Sequence, residues 1–199
     1  LRRNVVTQTF DFFYDFGSPY TFLVHKLLPD IEARTGATAI YKPMLLGGVF
    51  KATGNMSPIH VPSKLAYQTT DIARFVQHYG LSNPHNAHFP VMTISLMRGA
   101  IFAAGKPYEK AYLDIAFDAM WIEGRKMDDP ETIFEVLSSA DLPAAEIIAG
   151  TQEPQIKSAL IAATQEAVDR GVFGAPTLFV RGEMFFGKDS LPDLERALL

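Results

Sequence analysis

The chain has 199 residues, 48% of them apolar and 20% charged, so it is long enough to bury a core and too evenly mixed for a disordered or fibrous protein. Its 22 acidic residues outweigh 18 basic ones, giving a formal charge of −4 with no block of like charge, which excludes the basic footprint of a nucleic-acid-binding surface. The cysteine count is zero, which removes disulfides, thiolate metal sites, a cysteine nucleophile and an endogenous redox dithiol. No apolar run reaches the roughly 18 residues of a membrane-spanning helix. Leu1-Arg2-Arg3-Asn4 is not followed by the apolar stretch of a secretory signal, so a cytoplasmic protein (cytosol or organelle matrix) is expected.

In chain order, Thr7-Gln8-Thr9-Phe10-Asp11-Phe12-Phe13-Tyr14-Asp15 is aromatic and partly alternating, and predicts a strand with one strongly buried face. Gly17-Ser18-Pro19 then places a turn residue, a helix N-cap and a proline suited to the first helical position in succession. The helix that follows carries Phe22, Leu23, Leu27, Ile31 and Ala33 and stops at Gly36, before a second strand near Thr38-Ala39-Ile40-Tyr41-Lys42. This β-α-β opening implies parallel strands. From residue 43 to about 62 no period is sustained, and the stretch reads as a long functional loop.

Starts at proline and stops at glycine then mark helices from Pro62 to Gly80, Pro90 to Gly105 and Pro107 to Gly124. Shorter helices begin at Asp129-Pro130 and Leu142-Pro143, and a longer one runs from Glu153-Pro154 to Gly171. Pro176-Thr177-Leu178-Phe179-Val180 and Met184-Phe185-Phe186 read as an antiparallel hairpin about Arg181-Gly182-Glu183, and Ser190-Leu191-Pro192-Asp193 opens a final helix.

This order is an α/β thioredoxin fold with a large all-helical insertion. Residues 1–43 and 171–199 would form a discontinuous thioredoxin-like domain, with residues 44–170 the loop and helical insertion. Chemistry in that architecture sits at the N-terminus of the first helix, at Ser18, opposite a cis-proline loop, at Ala175-Pro176. A helix start offers free N–H groups and about half a unit of positive charge, which favours an anion. A thiolate would gain most, yet the chain has no thiol to place there. One resolution is that the sulfur arrives with a ligand such as glutathione, its thiol bonded to the Ser18 hydroxyl. Taken alone, a Ser-Pro pair is more simply an N-cap.

Four separated segments carry a specific resemblance: Phe16-Gly17-Ser18-Pro19-Tyr20-Thr21-Phe22-Leu23; Leu45-Leu46-Gly47-Gly48-Val49-Phe50-Lys51-Ala52-Thr53-Gly54-Asn55; Arg170-Gly171-Val172-Phe173-Gly174-Ala175-Pro176-Thr177; and Phe186-Gly187-Lys188-Asp189-Ser190. Together they resemble the 2-hydroxychromene-2-carboxylate isomerase family, itself similar to kappa-class glutathione transferases and, in fold, to DsbA oxidoreductases. The resemblance implies that Ser18 holds the glutathione sulfur. Asn55 and Lys64 would bind the tripeptide, the lysine at its glycine carboxylate. Ala175, before Pro176, would pair with its cysteinyl backbone, and Asp189 and Ser190 would receive its γ-glutamyl end. The pattern is departed from at Gly17, Phe186 and Ala175, where serine, tryptophan and a larger aliphatic residue are common.

The implied reaction opens a 2-hydroxychromene-2-carboxylate and isomerises it to trans-o-hydroxybenzylidenepyruvate through transient thiolate addition, with glutathione regenerated. A small aromatic substrate and a homodimer are implied with it. Phe50, Phe89, Met92 and Trp121 are candidates for an apolar substrate wall, and equally for ordinary core. A kappa-like transferase is the alternative enzyme, and a non-enzymatic thioredoxin-like module binding glutathione or peptide the alternative class. His85 and His88 lack a third metal ligand nearby, so no metal site is expected, and Asp128-Asp129-Pro130-Glu131 reads as a helix N-terminus. His25, His60 and His78 stand isolated.

Overall fold

The computed structural model describes residues 8–199; Thr7 and residues 1–4, read above for strand and signal character, lie outside the described residues. Strand β1 (Thr9–Tyr14) leads into helix α1 (Pro19–Thr35) and strand β2 (Thr38–Pro43). Helices α2 (Leu46–Thr53), α3 (Pro62–Tyr79), α4 (Ile94–Ala103), α5 (Glu109–Trp121), α6 (Pro130–Ser139), α7 (Ala144–Gly150) and α8 (Pro154–Asp169) follow. The hairpin of β3 (Thr177–Val180) and β4 (Glu183–Phe186) then precedes α9 (Leu191–Leu198). The sheet order is β2-β1-β3-β4. β1 pairs in parallel with β2, Phe12 opposite Tyr41, and antiparallel with β3, Phe12 opposite Leu178. This is the thioredoxin fold expected from the element order, in its DsbA-like form with helices inserted between β2 and β3.

Side chains on a strand alternate between faces, and β1 uses both. Phe10, Phe12 and Tyr14 enter the main core with Leu23, Leu27, Phe117 and Leu194, joining sheet and inserted helices in one cluster. Phe13 points the other way, into a smaller cluster with Met44, Val49, Ala167, Val172 and Phe179. There the Arg170 guanidinium lies over the Phe13 and Phe179 rings, 4.9 and 4.2 Å from their centroids, and pairs with Asp11 at 2.7 Å. β1 is therefore aromatic on both sides because both sides of the sheet are covered.

The start and stop residues act as the sequence implies. Ser18 caps α1 in an extended conformation (φ −102°, ψ 117°), and Gly36 ends it at φ +69° with its N–H on Glu32 O. Asp129 caps α6 by accepting from Thr132 N, so the acidic cluster is a helix start as read. The stretch from residue 43 to 62 differs: it contains α2 and a short 3-10 turn at Pro58–His60. Gly47 and Gly48 disguise α2 in the sequence. A Cβ on Gly48 would stand 3.0 Å from Thr164 Cγ2, so glycine here lets α2 cross closely over α8. Its N-cap, Leu45, supplies no side-chain bond; Asp15 and Thr164, distant in sequence, accept the Leu46 and Leu45 N–H groups instead. Helix α4 begins at Ile94 rather than at Pro90.

Candidate functional site

Ser18 is 6% exposed and its hydroxyl makes two bonds of 3.2 Å, accepting from Thr21 N and donating to Ala175 O. The second bond joins the start of α1 to the proline loop across 157 positions of sequence, and the Ala175–Pro176 peptide is cis. In the first turn of α1, Pro19 has no N–H, Thr21 is capped and Phe22 donates to Ser18 O. The Tyr20 N–H is left without a partner among the described residues. One free amide, one rotatable hydroxyl and the positive end of a 17-residue helix thus converge, an arrangement suited to an anion.

Beside Ser18 opens a cleft of about 420 Å³. Ser18, Asn55, Lys64, Ala175 and Asp189 all line it. Pro176 is buried behind Ala175 and Ser190 lies outside the lining, its hydroxyl donating to Gly187 O at 2.7 Å. Asn55 has structural work of its own: its side-chain amide donates to Phe173 O and accepts from Met56 N, both at 2.8 Å, tying the loop after α2 to the segment before β3. Of the four wall candidates, Phe50 and Phe89 line the cleft and Met92 and Trp121 do not. Met92 is 69% exposed, while Trp121 is buried with its indole N–H on Phe16 O at 2.7 Å. Phe173 and Phe186 complete the wall, ring against ring at 4.4 Å. A Cβ on Gly17 would meet Thr93 Cγ2 at 3.2 Å, so the serine common at that position would crowd Thr93.

Two residues passed over in the sequence shape this cleft. Asp15, 1% exposed, accepts from Gly17 N and Leu46 N at 2.8 Å and from the Thr93 hydroxyl at 2.7 Å. It thereby binds the turn before α1, the start of α2 and the approach to α4 to one carboxyl. Burial pushes its pKa up and the three donors oppose that. The signal was present: an acid at the end of an aromatic strand has to find donors.

Lys188, 2% exposed, pairs with Asp71 on α3 at 2.9 Å and with Asp189 at 2.6 Å, and lies over the Tyr20 and Phe75 rings. Asp71 also accepts from Tyr20 OH at 2.8 Å. Burial alone would lower the Lys188 pKa, but bonds to Asp189 and Asp71 carry it upward, so the ammonium is charged at neutral pH. Tyr20 is pushed well above the usual phenol range by burial and by Asp71. Asp189 is its sequence neighbour, but the burial of Lys188 and its pairing with Asp71 depend on α1 and α3 and carry no local sequence signal.

His25 is not isolated: its Nδ1 meets Tyr41 OH at 2.8 Å and its Nε2 meets Asp114 at 3.0 Å, and none of the three lines the cleft. Among the described residues no three His, Asp or Glu side chains are grouped to hold a metal, and no helix is long and apolar enough to cross a membrane.

Residues 9–199 match the family model described as DSBA-like thioredoxin domain. A 2-hydroxychromene-2-carboxylate isomerase from Sphingobium xenophagum is 30% identical over 98% of this chain and 100% of its own length. Human glutathione S-transferase kappa 1 is 26% identical over 96% of this chain and 91% of its own. A solved 2-hydroxychromene-2-carboxylate isomerase structure superposes with a TM-score of 0.86 at 28% identity, covering 96% of this chain and 94% of that one. The full-length match in sequence and in fold leaves one conclusion: the chain belongs to the DSBA-like thioredoxin family, among the relatives of 2-hydroxychromene-2-carboxylate isomerase.

Proposed function

We propose that this protein is a glutathione-dependent cis–trans isomerase acting on 2-hydroxychromene-2-carboxylate or a related aromatic intermediate. The observation that carries the reading is Ser18: a buried helix-capping hydroxyl 3.2 Å from the carbonyl before a cis-proline, in a chain without cysteine. The residues around it fit the tripeptide. The free Tyr20 N–H and the Ser18 hydroxyl suit a sulfur anion. Lys188 with Asp71 and Asp189 offers both signs of charge to a zwitterionic α-amino acid end, and exposed Lys64 suits a carboxylate at the other end.

When bound, glutathione would supply a thiolate that adds to a conjugated double bond, frees rotation about it and departs. The chain's own contribution is binding, orientation and charge. Ser18 has a single hydroxyl proton; turned from Ala175 O it donates to the anion while Oγ keeps the Thr21 N–H. Asp15 fixes the turn that presents Ser18. Asn55 holds the cleft's loop closed on residue 173, and Ser190, outside the lining, closes the turn that carries Asp189 by donating to Gly187 O. Phe50, Phe89, Phe173 and Phe186 give an aromatic substrate an apolar face and keep water from the anion.

One observation favours a transferase of kappa type instead. The cations lining the cleft are Lys64 and Lys188, both assigned above to the tripeptide, which leaves an apolar wall for the second substrate and suits a neutral electrophile. Product analysis after many turnovers separates the two. Free glutathione unchanged with the chromene carboxylate isomerised supports the isomerase; one equivalent consumed per product supports the transferase. Tight glutathione binding without turnover of either substrate class would refute both and leave a binding module.

A further inference from the structure

Helix α2 is the wall between two cavities. Its Leu46 and Phe50 face the cleft described above, while Gly48 and Ala52, with Leu45 just before the helix, face a second cavity of about 200 Å³ enclosed with α4 and α8. That second cavity is mostly apolar, walled by Ile94, Leu160 and Ile161, and Ile161 is 71% exposed at its mouth. Two cations enter it, Arg98 from α4 and Lys157 from α8. Neither forms an ion pair among the described residues, and residues 1–7 contain no acidic side chain that could supply one.

Arg98 Nε is buried and has no hydrogen-bond partner among the described residues. A guanidinium does not lose its proton inside a protein, so the unmet donor keeps its desolvation penalty. The Thr164 hydroxyl and the Gln165 amide donor of the cavity wall are committed elsewhere. Thr164 Oγ1 donates to Leu160 O and accepts from Leu45 N, and Gln165 Nε2 donates to Asp169. An apolar recess lined by a guanidinium whose Nε is unpartnered, and by an ammonium with no ion pair among the described residues, is complementary to an apolar body ending in an anion.

We propose that this cavity is a second ligand site, for a small aryl carboxylate of one or two rings, with Arg98 and Lys157 receiving the carboxylate and Ile94, Leu160 and Ile161 the ring. Its occupancy requires no glutathione and stands apart from the function proposed for the cleft.

The test is a titration of the ¹⁵N-labelled protein with 2-naphthoate, read from backbone amide shifts, with 2-naphthamide as the neutral control. Saturable shifts are expected at Arg98, Leu160, Ile161 and Thr164, with weaker binding of the amide. Arg98→Met and Lys157→Met should each weaken naphthoate binding, the former about tenfold or more, the size of a lost charge-assisted bond. Should Arg98→Met lose the dispersed spectrum of a folded protein, Lys157→Met carries the test alone. Absence of saturable shifts at these amides, shifts confined to the Ser18 and Phe50 cleft, equal affinity for the amide, or unchanged affinity in the folded variants would each overturn the assignment.

Discussion

Ser18→Ala separates stability from chemistry at one atom. The substitution removes two bonds, each 3.2 Å long. Loss of a serine N-cap costs about 1 kcal/mol, and loss of a long neutral bond to Ala175 O about 0.5–1 kcal/mol more. Of the two groups released, the Ala175 carbonyl lies beside the open cleft where water can reach it, while the N–H of buried Thr21 can be met only by a water taking the place of the hydroxyl. A total near ~2 kcal/mol corresponds to a fall in Tm of roughly 4–8 °C for a chain of this size, so the variant stays folded. The catalytic loss is different in scale. Removing one preorganised donor from a developing or resident anion costs about 10²–10³ in rate. A charge-assisted bond of about 1.5–3 kcal/mol corresponds to a rise of about 1–2 units in the pKa of the bound thiol. Calorimetry should therefore record a modest drop in Tm. The pH dependence of isomerisation with glutathione should move its rising limb upward by about 1–2 units, with a rate near pH 7 lower by about two orders of magnitude or more. Ser18→Thr, which keeps hydroxyl and cap, should restore most of both. A Ser18→Ala enzyme with the wild-type rate and an unmoved pH limb would refute the assignment, whatever its Tm.

Asp15→Asn places an amide where three donors converge and sets its N–H₂ group against one of them; about 2–4 kcal/mol of stability should be lost, read by urea denaturation, and an unchanged midpoint would contradict the anchoring role. Lys188→Met leaves Asp71 without its cation at a site where the Asp71 side chain is 19% exposed. Calorimetric titration should show glutathione binding weakened about tenfold or more, and Asp71→Leu/Lys188→Met should recover stability without recovering binding; full affinity in Lys188→Met would remove the zwitterion role. Acid unfolding should report the Asp114–His25 pair. Burial alone would raise the Asp114 pKa, but bonds from His25 and Lys110 hold it at about 2, below its ordinary 3.8. A depressed carboxylate pKa gives stability that is present above the unfolded value and lost as the pH falls from about 4 toward 2. Because the Asp114 side chain is 38% exposed, solvent screening reduces that contribution to about 1 kcal/mol. Asp114→Asn should abolish that low-pH arm. Burial lowers the His25 pKa, so wild-type stability should also decline as the pH falls below about 6.5, when the unfolded chain takes up the proton first; a flat profile from pH 7 to 2 would contradict both.

The sequence by itself determined the order of the strands and of most helices, and the helix start that Ser18 caps. Helix starts and stops were legible because proline, serine and aspartate caps, and glycines ending helices, act through local backbone chemistry; Ser18, Gly36 and Asp129 do what their types dictate. The absence of cysteine, a matter of composition alone, removed dithiol chemistry from a thioredoxin architecture. Tertiary structure decided whatever depends on partners far along the chain. Helix α2 escaped the sequence because its start is completed by Asp15 and Thr164 and its glycine serves a crossing with α8. Met92 and Trp121 look alike as apolar candidates, yet the fold exposes one and buries the other behind Phe16. Lys188 is given its burial and its ion pair with Asp71 only when α1 and α3 bring Tyr20 and Asp71 to it. Local rules fix where an element begins; only packing, a sum over distant contacts, fixes which side chains face a cleft and which charges are left to meet a ligand.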